Sequence, residues 1–418
     1  MSCCSFTDVL YTKYGEEISE EIGGPGFEIF LVGSYPGRAS PSGRLILPKI
    51  LTLNDCNIDS AGSTHVIEDL CKDVEELDLA QNEFTDTSEI EKIISHMPKL
   101  WFLNLSHNDL SEAKPLEMEA DLCITSLVLN HTYAPWHVVN SFLRCLPKLE
   151  ELYLSLNDYA SVGFDPDKDY PSVKQFHISG NPIDSWDHLK HIATCFPNLE
   201  KLIMADSSLE SVPDSFHWSD HFRKLHSINL NNGQFREWED IDRLNNFPQL
   251  DSFRLQGLPV LEEFTEKERR QHLIARLSCA KRLNGSPIPE KEREDAERAF
   301  IRFYLDRNDK PKRYYELVAK HGKLNPLVNV SLAPKKKVKV NIVYQEHRET
   351  IEIHVEKTVK DLKFEIGQLL SMSPSKLRLF YIDKEMSHAF GPEELKFNSK
   401  KLYSIQVQDG DEFLVDQK

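Results

Sequence analysis

The sequence predicts an α/β solenoid of stacked coils with a helical cap, followed by a small α+β domain. Three observations predict it. An apolar pattern returns every 24 to 26 residues between Pro48 and Val260, a heavily charged helical stretch follows, and the chain from Val338 onward alternates like strands around one amphipathic helix.

The repeat has the form apolar-x-x-apolar-x-apolar-x-x-Asn/Cys-x-apolar, as in Val74 to Phe84. Its first positions fall at Pro48, Val74, Leu100, Ile124, Leu149, Val173, Leu199, Leu225 and Leu250, and positions four and six are apolar in all nine cases. At 40% apolar composition, eighteen such hits have a chance probability on the order of 10⁻⁷. Spacing of this kind is that of a leucine-rich-repeat solenoid, in which each coil buries its apolar face only against its neighbours. An asparagine at position nine can bond the backbone of the neighbouring turn. Asn82, Asn108, Asn157 and Asn181 supply it and Cys56 substitutes, whereas Thr132, Ser207, Gly233 and Leu258 depart from the rule and predict a less regular ladder. Helix-period segments such as Ser88 to Met97 lie between strands, and Pro98, Pro147, Pro197 and Pro248 end such segments because proline cannot donate a backbone hydrogen bond.

The stack needs a cap. Residues 261–324 supply charged helices, one of them started by Pro289 with acids in its first turn, as the helix dipole favours. Residues 325–337 lack helical period, carry two prolines and end in Lys335, Lys336 and Lys337, which reads as a linker. Residues 338–418 give two alternating strands, a helix capped by Thr358 with Val359, Leu362, Ile366, Leu369 and Leu370 on one face, and further strands. That order resembles a ubiquitin-like β-grasp domain. Without a terminal di-glycine the domain is expected to dock rather than to be conjugated. Residues 1–47, with Gly23 to Gly26 and Gly33 to Gly43, read as a flexible lead-in to the solenoid of 48–260.

At 418 residues several domains are expected, since single cores stop growing at about 250–300 residues. Fifty Lys and Arg against 67 Asp and Glu give a net charge of −17, which repels nucleic acid and anionic membranes and favours protein partners. The N-terminus has no apolar signal region and no run approaches a membrane span, so a cytoplasmic monomer is expected. Eight scattered cysteines, Cys3 and Cys4 among them, predict reduced thiols and no zinc site. No catalytic motif stands out. His217 and His221 have helical metal spacing without a third ligand, and His188 and His191 read as packing groups, so neither an enzyme nor a cofactor is expected.

The open face of such a sheet points positions two, three, five and eight to solvent, where large apolar residues are unexpected. Trp101, Phe102, Val128, Tyr153, Leu156, His177 and Ile203 occupy them, which marks a partner-binding face. Glu75, Glu76, Asp78, Glu150 and Glu151 are expected to form an acidic rim, with Lys174, Lys201 and Arg254 towards the other end. On the β-grasp domain Leu379, Tyr381 and Val407 are candidates for a second face.

The repeat, a cap containing Leu283-Asn-Gly-Ser286 and Glu292 to Arg298, and the C-terminal domain together resemble the tubulin-folding cofactor E family. The Gly-Lys-Asn-Asp-Gly signature of that family's N-terminal CAP-Gly domain is missing. The resemblance implies a cytoskeleton-associated regulator that binds the α/β-tubulin heterodimer, pulls it apart and leaves the subunits to the proteasome, which the ubiquitin-like domain would contact. The alternative is an adaptor that carries some other client into the ubiquitin pathway.

Overall fold

In the computed structural model of the chain, positions three to five of each repeat become a strand three residues long, because a strand points successive side chains to opposite faces. The structure describes residues 4–15, 38–39, 45–118, 122–213, 221–326, 336–384 and 391–417. They fall into two compact units, Met1–Pro326 and Leu327–Lys418. Cys3, residues 23–26, His217 with Trp218, and linker residues 327–335 lie outside the described residues.

The first unit begins with β1 (Cys4–Ser5), α1 (Phe6–Tyr14) and a hairpin of β2 (Arg38–Ala39) and β3 (Leu45–Ile46). The repeat then gives β4 (Ile50–Thr52), β5 (Ile58–Ser60), which pairs with β1, and β6 (Glu76–Asp78), β7 (Phe102–Asn104), β8 (Ser126–Val128), β9 (Glu151–Tyr153), β10 (Gln175–His177), β11 (Lys201–Ile203), β12 (Ser227–Asn229) and β13 (Ser252–Arg254). β4 and β6 to β13 form a parallel sheet in chain order, extended by β14 (Arg282–Leu283) and ended by antiparallel β15 (Ser286–Pro287). This is a leucine-rich-repeat solenoid. The middle residue of each repeat strand, from Leu51 and Leu77 through Phe176 to Phe253, is 0% exposed, so position four is the spine of one continuous core.

Asparagines at position nine complete the ladder. Asn181, itself buried, donates from Nδ2 to the carbonyls of Ile178 and Leu154, each 2.9 Å away, and its Oδ1 accepts from the amides of Asn157 and Tyr159, each at 3.0 Å. Asn82 makes the same bonds one end of the stack away, to Leu53 and Leu79 and from Cys56 and Ile58. Where the residue differs, so does the bonding. Thr132 donates to the Leu129 carbonyl of its own coil at 3.0 Å and reaches Asn157 Oδ1 of the next at 3.4 Å, but no carbonyl of the coil before, and the hydroxyl of Ser207 is buried without a partner.

Helices cover the buried face in some coils and loops in others. Helix α2 (Thr64–Leu70) belongs to the first coil, and α3 (Thr87–Ile94), α4 (Trp136–Cys145), α5 (Trp186–Cys195) and α6 (Trp238–Arg243) lie in the coils that end at Pro98, Pro147, Pro197 and Pro248. Between β7 and β8, and between β9 and β10, the described residues contain no helix, and side chains such as Tyr159, Val162 and Phe164 fill the layer instead. Trp136 opens α4 and lies over that irregular coil, its ring 4.5 Å from Tyr159 and 4.8 Å from Phe164. Gly163 is required there, since a Cβ would meet the indole at 2.6 Å.

Residues 4–15, expected within a flexible lead-in, instead close the N-terminal end. Phe6, Leu10 and Tyr14 of α1 are buried in the core of the first coil. The open edge of β4 is blocked by the same helix: the Thr52 amide donates to Tyr14 Oη at 3.2 Å, and Lys13 Nζ donates to the Thr52 carbonyl at 2.6 Å.

At the other end α7 (Glu266–Arg276), α8 (Glu290–Phe303) and α9 (Lys312–His321) follow. Arg276 is 2% exposed, 2.6 Å from Asp242 and 2.8 Å from Tyr304 Oη, with its guanidinium 4.5 Å from the Trp238 ring centre. Burial pushes the Asp242 carboxyl up despite that partner. α9 is held to α8 by Glu297, which is 1% exposed and meets Lys320 at 2.7 Å, His321 at 2.6 Å and Arg313 at 3.3 Å. Burial alone would raise that carboxyl, but Lys320 and His321 outweigh it and hold it below the usual range.

The second unit has β16 (Lys337–Tyr344), β17 (His347–His354), α10 (Val359–Leu369), β18 (Leu377–Ile382), β19 (Glu393–Glu394) and β20 (Glu412–Gln417). Lys337, expected in the linker, is the first residue of β16. The strand order β17-β16-β20-β18-β19, with β20 parallel to β16, is a β-grasp. Thr358 and Asp361 make a reciprocal cap for α10, which buries Val359, Leu362 and Ile366 against the sheet, whereas Leu369 is 38% exposed.

Two outcomes follow from these contacts. Asn181→Ala leaves two carbonyls and two amides buried without partners and should cost about 2–4 kcal/mol in urea unfolding. His272 lies 4.8 Å from Phe264 and 4.5 Å from Phe303, and burial, with the charge of Arg276, pushes its imidazole down from 6.5 to about 4. The unfolded chain therefore binds a proton that the fold refuses, so this contribution is complete above pH 6.5 and is lost as pH falls towards 4. Between about pH 7 and pH 4 the wild type should lose about 3 kcal/mol more stability than His272→Leu, measured by urea unfolding at each pH.

Candidate partner-binding face

Parallel register stacks equivalent positions into rows. The third residues of the strands, on the face opposite the helices, run Thr52, Asp78, Asn104, Val128, Tyr153, His177, Ile203, Asn229, Arg254. The first residues run Ile50, Glu76, Phe102, Ser126, Glu151, Gln175, Lys201, Ser227, Ser252, Arg282. Val128, Tyr153, His177 and Ile203 are thus adjacent on four consecutive strands, half-buried by one another. The rings of Tyr153 and His177 stack at 4.1 Å. Phe102 stands one strand before Ser126, with Trp101, 41% exposed, 5.8 Å away.

Glu151 lies inside this stripe rather than on a rim. It accepts from Tyr153 Oη at 3.0 Å, Ser126 Oγ at 3.3 Å and Gln175 Nε2 at 2.8 Å. Burial and this bond push the Tyr153 phenol up to about 12, and burial, aided by Lys201, pushes His177 down to about 4. The stripe is therefore uncharged near neutrality apart from a carboxylate already bonded three times.

The expected rims are only partly present. Glu75 pairs with Lys49 at 2.6 Å and Glu150 with Lys174 at 2.9 Å, which removes both acids and Lys174 from the free charge of the face. Glu76 and Asp78 remain without a cation at one end, and Lys201 and Arg254 without an anion at the other, among the described residues. Arg282, which falls within the expected cap of 261–324, joins them on the sheet.

Leu156 is not on the strand face. It occupies position eight, where all nine coils turn through the left-handed region with φ from +54° to +68°, and Leu156 itself has φ +61° and is 53% exposed. An aliphatic residue is rarely held there. In neighbouring coils the same row carries His107 and His131, whose rings are 4.6 Å apart, and His131 Nε2 lies 2.6 Å from Tyr133 Oη. Sequence reasoning missed this second ridge, although His107 and His131 at position eight of consecutive repeats, with Tyr133 two residues on, were visible.

On the β-grasp unit Leu379, Tyr381 and Val407 are buried, so they are core and not a partner face. Tyr381 Oη is 2.7 Å from the buried Asp411. Among the described residues no cluster of three or more His, Cys, Asp or Glu can hold a metal ion, and no helix is long and apolar enough to cross a membrane.

No family model matches the chain. It is 39% identical over 425 residues to the tubulin-specific chaperone cofactor E-like protein of Rattus norvegicus, covering 99% of this chain and 98% of the relative. A Caenorhabditis elegans protein of the same name is 30% identical over 428 residues, with 100% and 95% covered. Tubulin-folding cofactor E of Arabidopsis thaliana is 26% identical over 397 residues, with 88% and 74% covered. Among solved structures, the C-terminal ubiquitin-like domain of mouse tubulin-specific chaperone e covers 21% of this chain and 93% of that chain at 22% identity, with a TM-score of 0.19.

A left-handed leucine exposed to solvent predicts a measurable trade. Leu156→Gly should stabilise the solenoid by about 1 kcal/mol in urea unfolding, because glycine meets no Cβ clash at that φ. A destabilised variant would show that Leu156 is held by packing instead.

Proposed function

We propose, from the premise that the chain belongs to the family of tubulin-specific chaperone cofactor E-like proteins, that it binds the α/β-tubulin heterodimer on the open face of its solenoid and draws the subunits apart. The separated subunits then pass to the proteasome, with the β-grasp domain as the docking module. The protein works as a cytoplasmic, cytoskeleton-associated monomer and regulates tubulin without catalysing a reaction. The observation that carries this reading is the row Val128, Tyr153, His177, Ile203 with Phe102 and Trp101 beside it, an apolar and aromatic stripe on the sheet face opposite the described helices of the solenoid. Aromatic anchors surrounded by polar residues are the usual centre of a protein interface.

A binding protein separates a dimer only by preferring the separated subunit, with each tenfold preference contributing about 1.4 kcal/mol. The rigid sheet suits that task, since little has to be ordered when the client arrives.

Purified protein mixed with α/β-tubulin should reduce the heterodimer peak on gel filtration. Replacing Trp101, Phe102 and Tyr153 together by alanine should weaken capture by at least about a hundredfold. Intact heterodimer beside the wild-type protein, with a proteasome subunit still captured, would instead support an adaptor for another client. Undiminished capture by the triple variant would move the site off this face.

A further inference from the structure

The open face changes sign along the solenoid. At its N-terminal end the two rows hold Glu76 and Asp78. From β11 onward they hold Lys201, Arg254 and Arg282 and no carboxylate. Arg254 and Arg282 are exposed, Lys201 is half-buried, and none of the three makes an ion pair among the described residues. Among the described residues the Arg282 side chain makes one hydrogen bond, from Nη2 to the Gly285 carbonyl at 3.1 Å. In a chain with 67 acids and 50 bases, a stretch of both rows that holds three cations and no carboxylate reverses the overall charge balance.

A cavity of about 590 Å³ opens at the same end, between the hairpin β14–β15 and α7. It is lined by Gln256, Gly257, Arg269, Arg270, Asn284 and Ser286, with Glu266 also at its wall. The Nε of Arg269 is buried without a partner, whereas Arg270 is already neutralised by Glu292 at 2.6 Å. Arg254 lies beside the turn that joins β14 to β15, its Nη2 4.0 Å from where a Cβ on Gly285 would stand.

We propose that this end of the face receives the acidic part of an extended polypeptide segment. An aromatic or branched apolar side chain of that segment rests on Tyr153, His177 and Ile203, and its carboxylates reach Lys201, Arg254 and Arg282. The proposal deepens the tubulin reading, on which it rests, by naming the kind of segment the face grips. From Tyr153 to Arg254 is four strand spacings, about 19 Å. An extended segment of about six residues covers that distance. Guanidinium groups hold carboxylates through paired hydrogen bonds, and the open edge of the cavity admits a side chain or a chain end. A polynucleotide is disfavoured on the same face because Glu76 and Asp78 and the net charge of −17 repel its phosphates.

The test is fluorescence anisotropy with the full chain and a labelled peptide of about eight residues, rich in glutamate and carrying one tyrosine. Replacing its glutamates by glutamine should weaken binding at least about tenfold, as should raising salt from about 0.05 M to about 0.3 M. Arg254→Glu with Arg282→Glu should abolish binding, while Arg254→Lys with Arg282→Lys retains it within about tenfold. Circular dichroism should be unchanged in both, because neither side chain supports the core. Equal binding of the glutamate and glutamine peptides, indifference to the charge reversal, no peptide binding at all, or equal competition by a single-stranded oligonucleotide would each overturn the proposal. Tubulin capture is measured on the same proteins. Peptide binding without tubulin capture sinks the tubulin reading alone, and tubulin capture that survives the charge reversal sinks this inference alone.

Discussion

Every coil of the solenoid leaves its polar backbone half unsatisfied and its apolar face open, and only the next coil can complete both. The asparagine at position nine carries that constraint, because one side chain closes the backbone of its own coil and of the one before. Slippage by one residue would turn position four to solvent and strip the asparagine of its partners together. The spacing is therefore held near 25 residues, and the register of the sheet follows from it. The open face is then a by-product of the core. Once Leu152, Phe176 and Leu202 are fixed inward, Tyr153, His177 and Ile203 must line up outward.

A stack of identical bonds has the difficulty that its two ends remain unpaired. The chain solves this differently at each end. At β4 the block is made by side chains, with Lys13 and Tyr14 holding the edge carbonyl and amide of Thr52. At β13 it is made by backbone, because β14 adds in parallel and then reverses into β15, which contains Pro287 and offers one donor fewer to any further strand. Behind that hairpin the aromatic cage of Trp238, Phe264, Phe300 and Phe303 encloses His272 and Arg276. Placing a guanidinium and a neutral imidazole there makes the cap depend on specific partners such as Asp242, where a purely apolar cap would not.

The repeat was legible because its signal is periodic and redundant. Positions four and six recur nine times, and each recurrence tests the rest. The asparagine ladder and the outward stripe were legible for the same reason. What depends on a single local contact was not. The glycine- and serine-rich stretch that follows α1 masks the helical pattern of Phe6, Leu10 and Tyr14, so the closure of the first coil was hidden. Arg282 sits in a two-residue strand beside Asn284-Gly285, where turn chemistry conceals that it joins the sheet. Leu379 and Tyr381 alternate with Arg378 and Phe380, and in a short strand nothing in the pattern says which set faces α10; the pairing with β20 decides it. Charges were read as a rim by their position alone, and pairing with Lys49 and Lys174 neutralised Glu75 and Glu150.

The two faces of the sheet differ in composition and in what covers them. On one side helices and loops seal Leu, Ile and Phe; on the other, no described element of the solenoid unit lies over Val128, Tyr153, His177 and Ile203. Such a strip would invite non-specific association were it continuous and featureless. It is neither. Tyr153 has its hydroxyl committed to Glu151, His177 is kept neutral by burial, and the strip ends in acids on one side and guanidinium groups on the other. The apolar centre supplies affinity to any extended chain that reaches it, whereas the unlike poles penalise chains lying in the wrong direction or carrying the wrong charge. Direction along the solenoid is thereby set by electrostatics at its ends, and strength of grip by the aromatic residues between them.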